Sequence, residues 1–147
     1  MQHPVGVPKM SEVLVRVAKL SLRDQESPPS AEAAHAALLL AHAGWNRALG
    51  YGARGYDVLL DKFVESRPEL WSELRSSDPQ VLVAAAAEAK VRLYPDDRRV
   101  VLVCGIRDDR VHVEWCDSKD YPEAVRRLKR RPGLVRRTRN RSDRHGA

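Results

Sequence analysis

Residues 98–116 read RRVVLVCGIRDDRVHVEWC, and this stretch decides the fold because it predicts an antiparallel hairpin. Two runs rich in β-branched residues flank Asp108 and Asp109, and a two-residue connection is typical of neighbouring antiparallel strands. The turn type stays open because neither residue is glycine. Pairing Arg107 with Arg110 fixes the register. It then predicts one apolar face, made of Leu102, Cys104, Ile106, Val111, Val113 and Trp115.

An isolated hairpin is only marginally stable, so a further strand is expected beside it. Residues 11–22, SEVLVRVAKLSL, place Val13, Val15 and Val17 at alternate positions. Alternation of β-branched residues predicts a strand, and we expect this one to join the hairpin.

The middle of the chain predicts helices. Residues 31–50 are rich in alanine and leucine, begin after a potential N-cap, Ser30, and end at Gly50. This helix is apolar on nearly all sides, which is typical of a core helix. Further helices are predicted at residues 55–66, at 69–75 after a Ser66 and Glu69 capping box, at 79–93 after Asp78, and at 121–131.

Together these elements predict an α+β protein. A small, three-stranded, mainly antiparallel sheet, formed by the N-terminal strand and the C-terminal hairpin, packs against four to five helices. We divide the chain into a loose leader at 1–10, a single α+β domain at 11–131 and a disordered, arginine-rich tail at 132–147.

Composition sets the broad class. The chain has 147 residues, 43% of them hydrophobic, which suits one globular domain. Its apolar runs are too short for a transmembrane helix, and its start does not read as a secretion signal. Two cysteines make no disulfide framework, so a cytoplasmic location is expected. No cofactor and no membrane partner are expected.

Charge is distributed unevenly along the chain. The net charge is +6, yet residues 124–147 contain ten Lys or Arg residues and one acid, Asp143. Such a segment can neutralise phosphates. We therefore predict a non-catalytic accessory or adaptor protein that contacts DNA, RNA or a nucleoprotein complex. The candidate nucleic-acid-binding residues are Arg126, Arg127, Lys129, Arg130, Arg131, Arg136, Arg137, Arg139 and Arg141.

Two alternatives remain open. The basic segment also suits an acidic protein partner, in a protein–protein interaction module with no nucleic-acid role. The second alternative is enzymatic: Asp96 and Asp97 precede the first hairpin strand, while Asp117 and Lys119 follow the second. The order of these four residues along the chain resembles the PD…(D/E)xK pattern of restriction-type nucleases. That resemblance implies a small Mg²⁺-dependent nuclease with these four residues as its catalytic set.

Other chemistry-bearing residues have simpler interpretations. His112, Glu114 and Cys116 fall on one strand face about 7 Å apart, too far for three ligands of one ion. They are expected to form a solvated face. His35 and His42 lie two helical turns apart, which does not suit a metal helix. The three tryptophans, Trp45, Trp71 and Trp115, are expected to anchor the core.

Overall fold

The computed structural model describes residues 7–24, 27–51, 65 and 68–130. These residues form an α+β fold with one two-stranded antiparallel sheet. Its elements are α1 (Met10–Lys19), α2 (Ala31–Ala48), α3 (Pro79–Leu93), β1 (Arg99–Arg107), β2 (Arg110–Asp117) and α4 (Tyr121–Arg130), with 3₁₀ helices at Pro68–Ser72 and Ser118–Asp120. Apart from Glu65, the predicted helix at 55–66 lies outside the described residues, as does the predicted tail at 132–147. No helix in the described ranges has both the length and the apolarity that crossing a membrane requires.

The predicted N-terminal strand is wrong, because the segment forms helix α1. Its buried residues are Met10, Val13, Leu14, Val17 and Ala18, which follow the spacing of one helical face. Val15, which the strand prediction placed beside Val13 and Val17, is only half-buried. The described residues therefore form a sheet with two strands instead of three.

Helix α2 forms the centre of the fold, as predicted. Its amide at Ala33 donates to the Ser30 hydroxyl at 3.1 Å, and Gly50 follows the helix with a φ of +91°. A side chain at Gly44 would place its Cβ 2.5 Å from the Cβ of Ala86 and 2.6 Å from a backbone oxygen of α3. Glycine is thus required for the close contact between α2 and α3.

The hairpin is confirmed, and its turn can now be classified. Asp108 and Asp109 have φ values of 51° and 59°, as a type I′ turn requires. The predicted register holds from the turn to the pair Val103–Glu114, and a β-bulge then shifts it by one residue. Val101 takes the predicted place of Leu102 opposite Trp115 and is 1% exposed. The predicted pairing of Leu102 with Trp115 is therefore wrong.

Side chains of α2 cover the outer edge of β1, where a third strand would pair. The Asn46 amide donates to the Val101 carbonyl at 2.7 Å, and its oxygen accepts from the Val101 amide at 2.9 Å. Trp45 Nε1 donates to the Arg99 carbonyl at 2.6 Å, and His42 Nε2 lies 3.1 Å from the Val101 carbonyl oxygen. These bonds satisfy buried backbone groups that would otherwise need a neighbouring strand.

Candidate nucleic-acid interface

Helix α4 is anchored at its beginning to the open end of the hairpin. The Ser118 amide and hydroxyl both donate to the Arg98 carbonyl, at 3.1 and 2.6 Å. The Tyr121 ring packs on Tyr51 with ring centroids 4.2 Å apart, and the Tyr51 hydroxyl donates to the Ser118 carbonyl at 3.3 Å. The base of α4 is therefore fixed while the helix extends towards the basic segment.

The two faces of α4 differ in polarity. Tyr121, Ala124, Val125 and Leu128 are half-buried, whereas the remaining described side chains of the helix are exposed. Among the exposed side chains, Arg127 forms an ion pair with Glu123 at 2.8 Å, and both groups are more than 60% exposed. Exposed pairs of this kind are weak, so the guanidinium can exchange its carboxylate for another anion.

The structure describes only part of the predicted basic set. Arg126 and Arg127 are exposed on α4. Lys129 and Arg130 belong to its last turn, but their side chains are not described. The others lie outside the described residues: Arg131, Arg136, Arg137, Arg139 and Arg141.

A cleft of about 450 Å³ separates the inner face of α4 from the hairpin. We call it the α4 cleft; it is lined by Leu102, Trp115, Cys116, Asp117, Asp120, Glu123, Ala124, Arg127 and Leu128. Its carboxylates are exposed, whereas Leu102, Ala124 and Leu128 are half-buried. Burial raises the pKa of the Cys116 thiol, and the nearby carboxylates of Asp120 and Asp117 raise it further. The α4 cleft is thus acidic at its surface and apolar inside.

Asp97, one of the proposed nuclease residues, is engaged by a buried arginine. The Arg99 guanidinium donates to both Asp97 oxygens, with the shortest distance, 2.6 Å, from Nη2. It also donates to the Pro8 carbonyl at 3.0 Å and lies 5.3 Å from the centroid of the Trp115 ring. Burial alone would raise the pKa of Asp97, but the hydrogen bonds and charge of Arg99 outweigh burial and lower it. This carboxylate is a structural ion-pair partner.

The remaining nuclease candidates converge only in part. Asp96, Asp97 and Asp117 line one cleft of about 510 Å³, whereas Lys119 is exposed in the 3₁₀ turn and does not line it. Within the part of the chain that the structure describes, no group of three or more His, Cys, Asp or Glu residues is arranged to hold a metal ion. Because Asp97 already binds Arg99, these residues do not fit the Mg²⁺ site that the nuclease resemblance implies.

Sequence reasoning missed two sets of residues. One is the role of His42, Trp45 and Asn46 on the edge of β1, whose signal was the spacing of polar atoms on a single face of an otherwise apolar helix. The other is the α4 cleft, whose signal was the apolar spacing in the last helix at positions 121, 124, 125 and 128. As expected, His112 and Glu114 are exposed, but Cys116 is half-buried against the α4 cleft.

Comparisons of the chain with protein-family models, with curated proteins and with solved structures found no match. We therefore infer function from α4, its charges and its neighbours alone.

Proposed function

We propose that this protein is a non-catalytic accessory or adaptor protein that contacts nucleic acid, or a nucleoprotein complex, through α4 and the basic residues after it. One observation carries the proposal. A helix that is fixed at its base exposes Arg126 and Arg127, and the chain then continues through eight further Lys or Arg residues up to Arg144. A rigid base of this kind would position the basic segment relative to the rest of the protein.

The chemistry of the segment predicts binding to the phosphate backbone. Arginine and lysine neutralise phosphates and release counterions, which makes affinity fall steeply with salt. Residues 124–147 contain no Phe, Tyr or Trp, so they lack the large aromatic rings on which bases stack. If half of the ten cationic residues contact phosphates, a plot of log Kd against the logarithm of the salt concentration should have a slope of about 4 to 5. We further propose a cytoplasmic location, where Cys104 and Cys116, which form no disulfide in the structure, would remain reduced.

The test compares two full-length variants that lose the same charge. The first replaces Arg136, Arg137, Arg139 and Arg141 by Gln. The second replaces Lys19, Arg92, Arg107 and Arg110 by Gln, all four of which are exposed and lie outside α4. Binding of labelled DNA and RNA is measured across a salt series, with and without Mg²⁺. We expect the first variant to weaken binding and lower the slope by about 2 to 4, and the second to change the slope by less than about 1.

Three outcomes would contradict the proposal. Equal losses in the two variants would show that only net charge matters. No binding to either polymer at moderate salt would favour an acidic protein partner. Strands that become shorter only with Mg²⁺, in a reaction lost in Asp117→Ala, would favour the nuclease alternative.

A further inference from the structure

The α4 cleft combines two features that call for one kind of occupant. Its half-buried lining, which includes Leu102 and Leu128, offers apolar contact. Its exposed carboxylates, Asp117, Asp120 and Glu123, outnumber the single guanidinium that lines it, and that guanidinium is already paired with Glu123. A segment that suits this cleft carries a short apolar stretch next to positive charges.

We propose that the α4 cleft is the docking site of the chain's own tail at residues 134–138. This stretch reads LVRRT, and Leu134 and Val135 are the only Leu, Ile, Val or Met residues after Leu128. Two arginines follow them directly. The apolar pair matches the inner lining of the cleft, and Arg136 and Arg137 match its carboxylates.

The length of the chain allows this contact. Proline followed by glycine favours a reversal of chain direction, and Pro132 and Gly133 come just after α4 ends at Arg130. The cleft extends from Asp120, directly before α4, to Leu128, which is about 12 Å at the helical rise per residue. Four extended residues cover about 13 Å. A chain that turns back at Gly133 thus brings Leu134 near Leu128 and Thr138 near Asp120.

The tether makes weak contacts sufficient. Exposed ion pairs contribute little individually, but a segment joined to its site by a few residues has an effective concentration in the millimolar range. The tail therefore docks without the affinity that a separate partner would need. Docking does not depend on the proposed function.

Cys116 provides a native probe because its side chain lines the cleft beside Asp117 and Asp120. In the full chain, Thr138→Cys places a second thiol where docking predicts proximity, and it leaves the apolar pair and both arginines intact. Copper phenanthroline with oxygen oxidises two thiols to a disulfide, taking one electron and one proton from each. Mass spectrometry of digested protein identifies which cysteines have joined.

The control chain carries Ser142→Cys, four residues further along. Because positions 138 and 142 are close in sequence, the difference in chain length alone changes the rate of loop closure to Cys116 by less than about twofold. We expect Thr138→Cys to join Cys116 at least about tenfold faster than Ser142→Cys, because docking raises the local concentration of the nearer thiol. The assay contains no nucleic acid, so its result is independent of whether the protein binds any.

A second pair of chains adds Asp117→Asn and Asp120→Asn. Removing these carboxylates favours the Cys116 thiolate in both chains, so the ratio of the two rates is the quantity to compare. Docking through charge predicts that this ratio falls towards the value set by chain length. The proposal is overturned by a ratio within twofold in the first pair, by a ratio that neutralisation leaves unchanged, or by rates that rise with protein concentration. The last result would identify a second copy of the chain as the occupant.

Discussion

The burial of His42 predicts a loss of stability in mild acid. The side chain is 6% exposed, with Nε2 3.1 Å from the Val101 carbonyl oxygen and Nδ1 3.4 Å from the Cys104 sulfur. A carbonyl oxygen only accepts, so we assign the ring hydrogen to Nε2 and leave Nδ1 as an acceptor for the thiol. Burial lowers the pKa of His42 from 6.5 to about 4, although its hydrogen bond to Val101 acts in the opposite direction.

The direction of the effect follows from proton binding. In the unfolded chain His42 takes up a proton as the pH falls through 6.5, whereas the folded protein resists protonation until about pH 4. The unfolded state therefore binds more protons between these values, and the free energy of unfolding decreases as the pH falls. The expected loss is about 2 kcal/mol between pH 7 and pH 5 and about 3 kcal/mol by pH 4, since each pKa unit corresponds to about 1.4 kcal/mol.

The assay is urea unfolding followed by tryptophan fluorescence at pH 7, 6 and 5. His42→Gln is the informative variant because glutamine does not titrate and its amide can still donate to the Val101 carbonyl. From pH 7 to pH 5 the wild type should lose about 2 kcal/mol more than this variant. A control, His112→Gln, replaces an exposed histidine and should keep the wild-type pH dependence. Parallel curves for the wild type and His42→Gln would refute the reasoning.

Three further substitutions, two of them paired with a control substitution, test the packing of the fold by urea unfolding at pH 7. Gly44→Ala should destabilise by about 1 to 2 kcal/mol, because overpacking against α3 outweighs the gain in helix propensity. Gly105→Ala meets nothing within 4 Å and should be nearly neutral. Asn46→Ala should lower the free energy of unfolding by about 1 to 3 kcal/mol, because the buried amide of Val101 loses its acceptor. A loss below about 0.5 kcal/mol, half of the lower limit, would show that water replaces the side chain. Asp97→Asn should lower the free energy of unfolding by about 3 kcal/mol, because the buried Arg99 guanidinium loses its counter-charge. The control Asp96→Asn, at an exposed neighbouring residue, should have little effect.

Elements with local signals were predictable from the sequence. Ser30 and Asp78 cap the helices that follow them, and the hairpin turns at the two residues predicted. A cap or a two-residue turn depends on residues that are adjacent in sequence, so the local pattern contains the necessary information. The predicted short helix at 69–75 also corresponds to a helical element, although it is a 3₁₀ helix at Pro68–Ser72.

Features that depend on distant residues were not predictable in the same way. Val13 and Val17 of α1 satisfy both a strand period and a helical period, and only packing against the rest of the core distinguishes the two structures. The bulge at Leu102 lies beside Val101, whose backbone is held by Asn46, 55 residues earlier in the chain. The α4 cleft likewise depends on this bulge, since Leu102 now lines it. Sequence alone gives no sign of such a shift.

The hydrogen bonds from α2 to β1 also have a consequence for the protein at high concentration. An open strand edge can act as a template for pairing with another chain. At residues 99–101 this edge is occupied by the side chains of Trp45 and Asn46. Further along the hairpin, Arg107 and Arg110 place like charges beside the turn, and charged edges discourage pairing. The helix that completes the core thus also protects the outer edge of β1 against edge-to-edge aggregation.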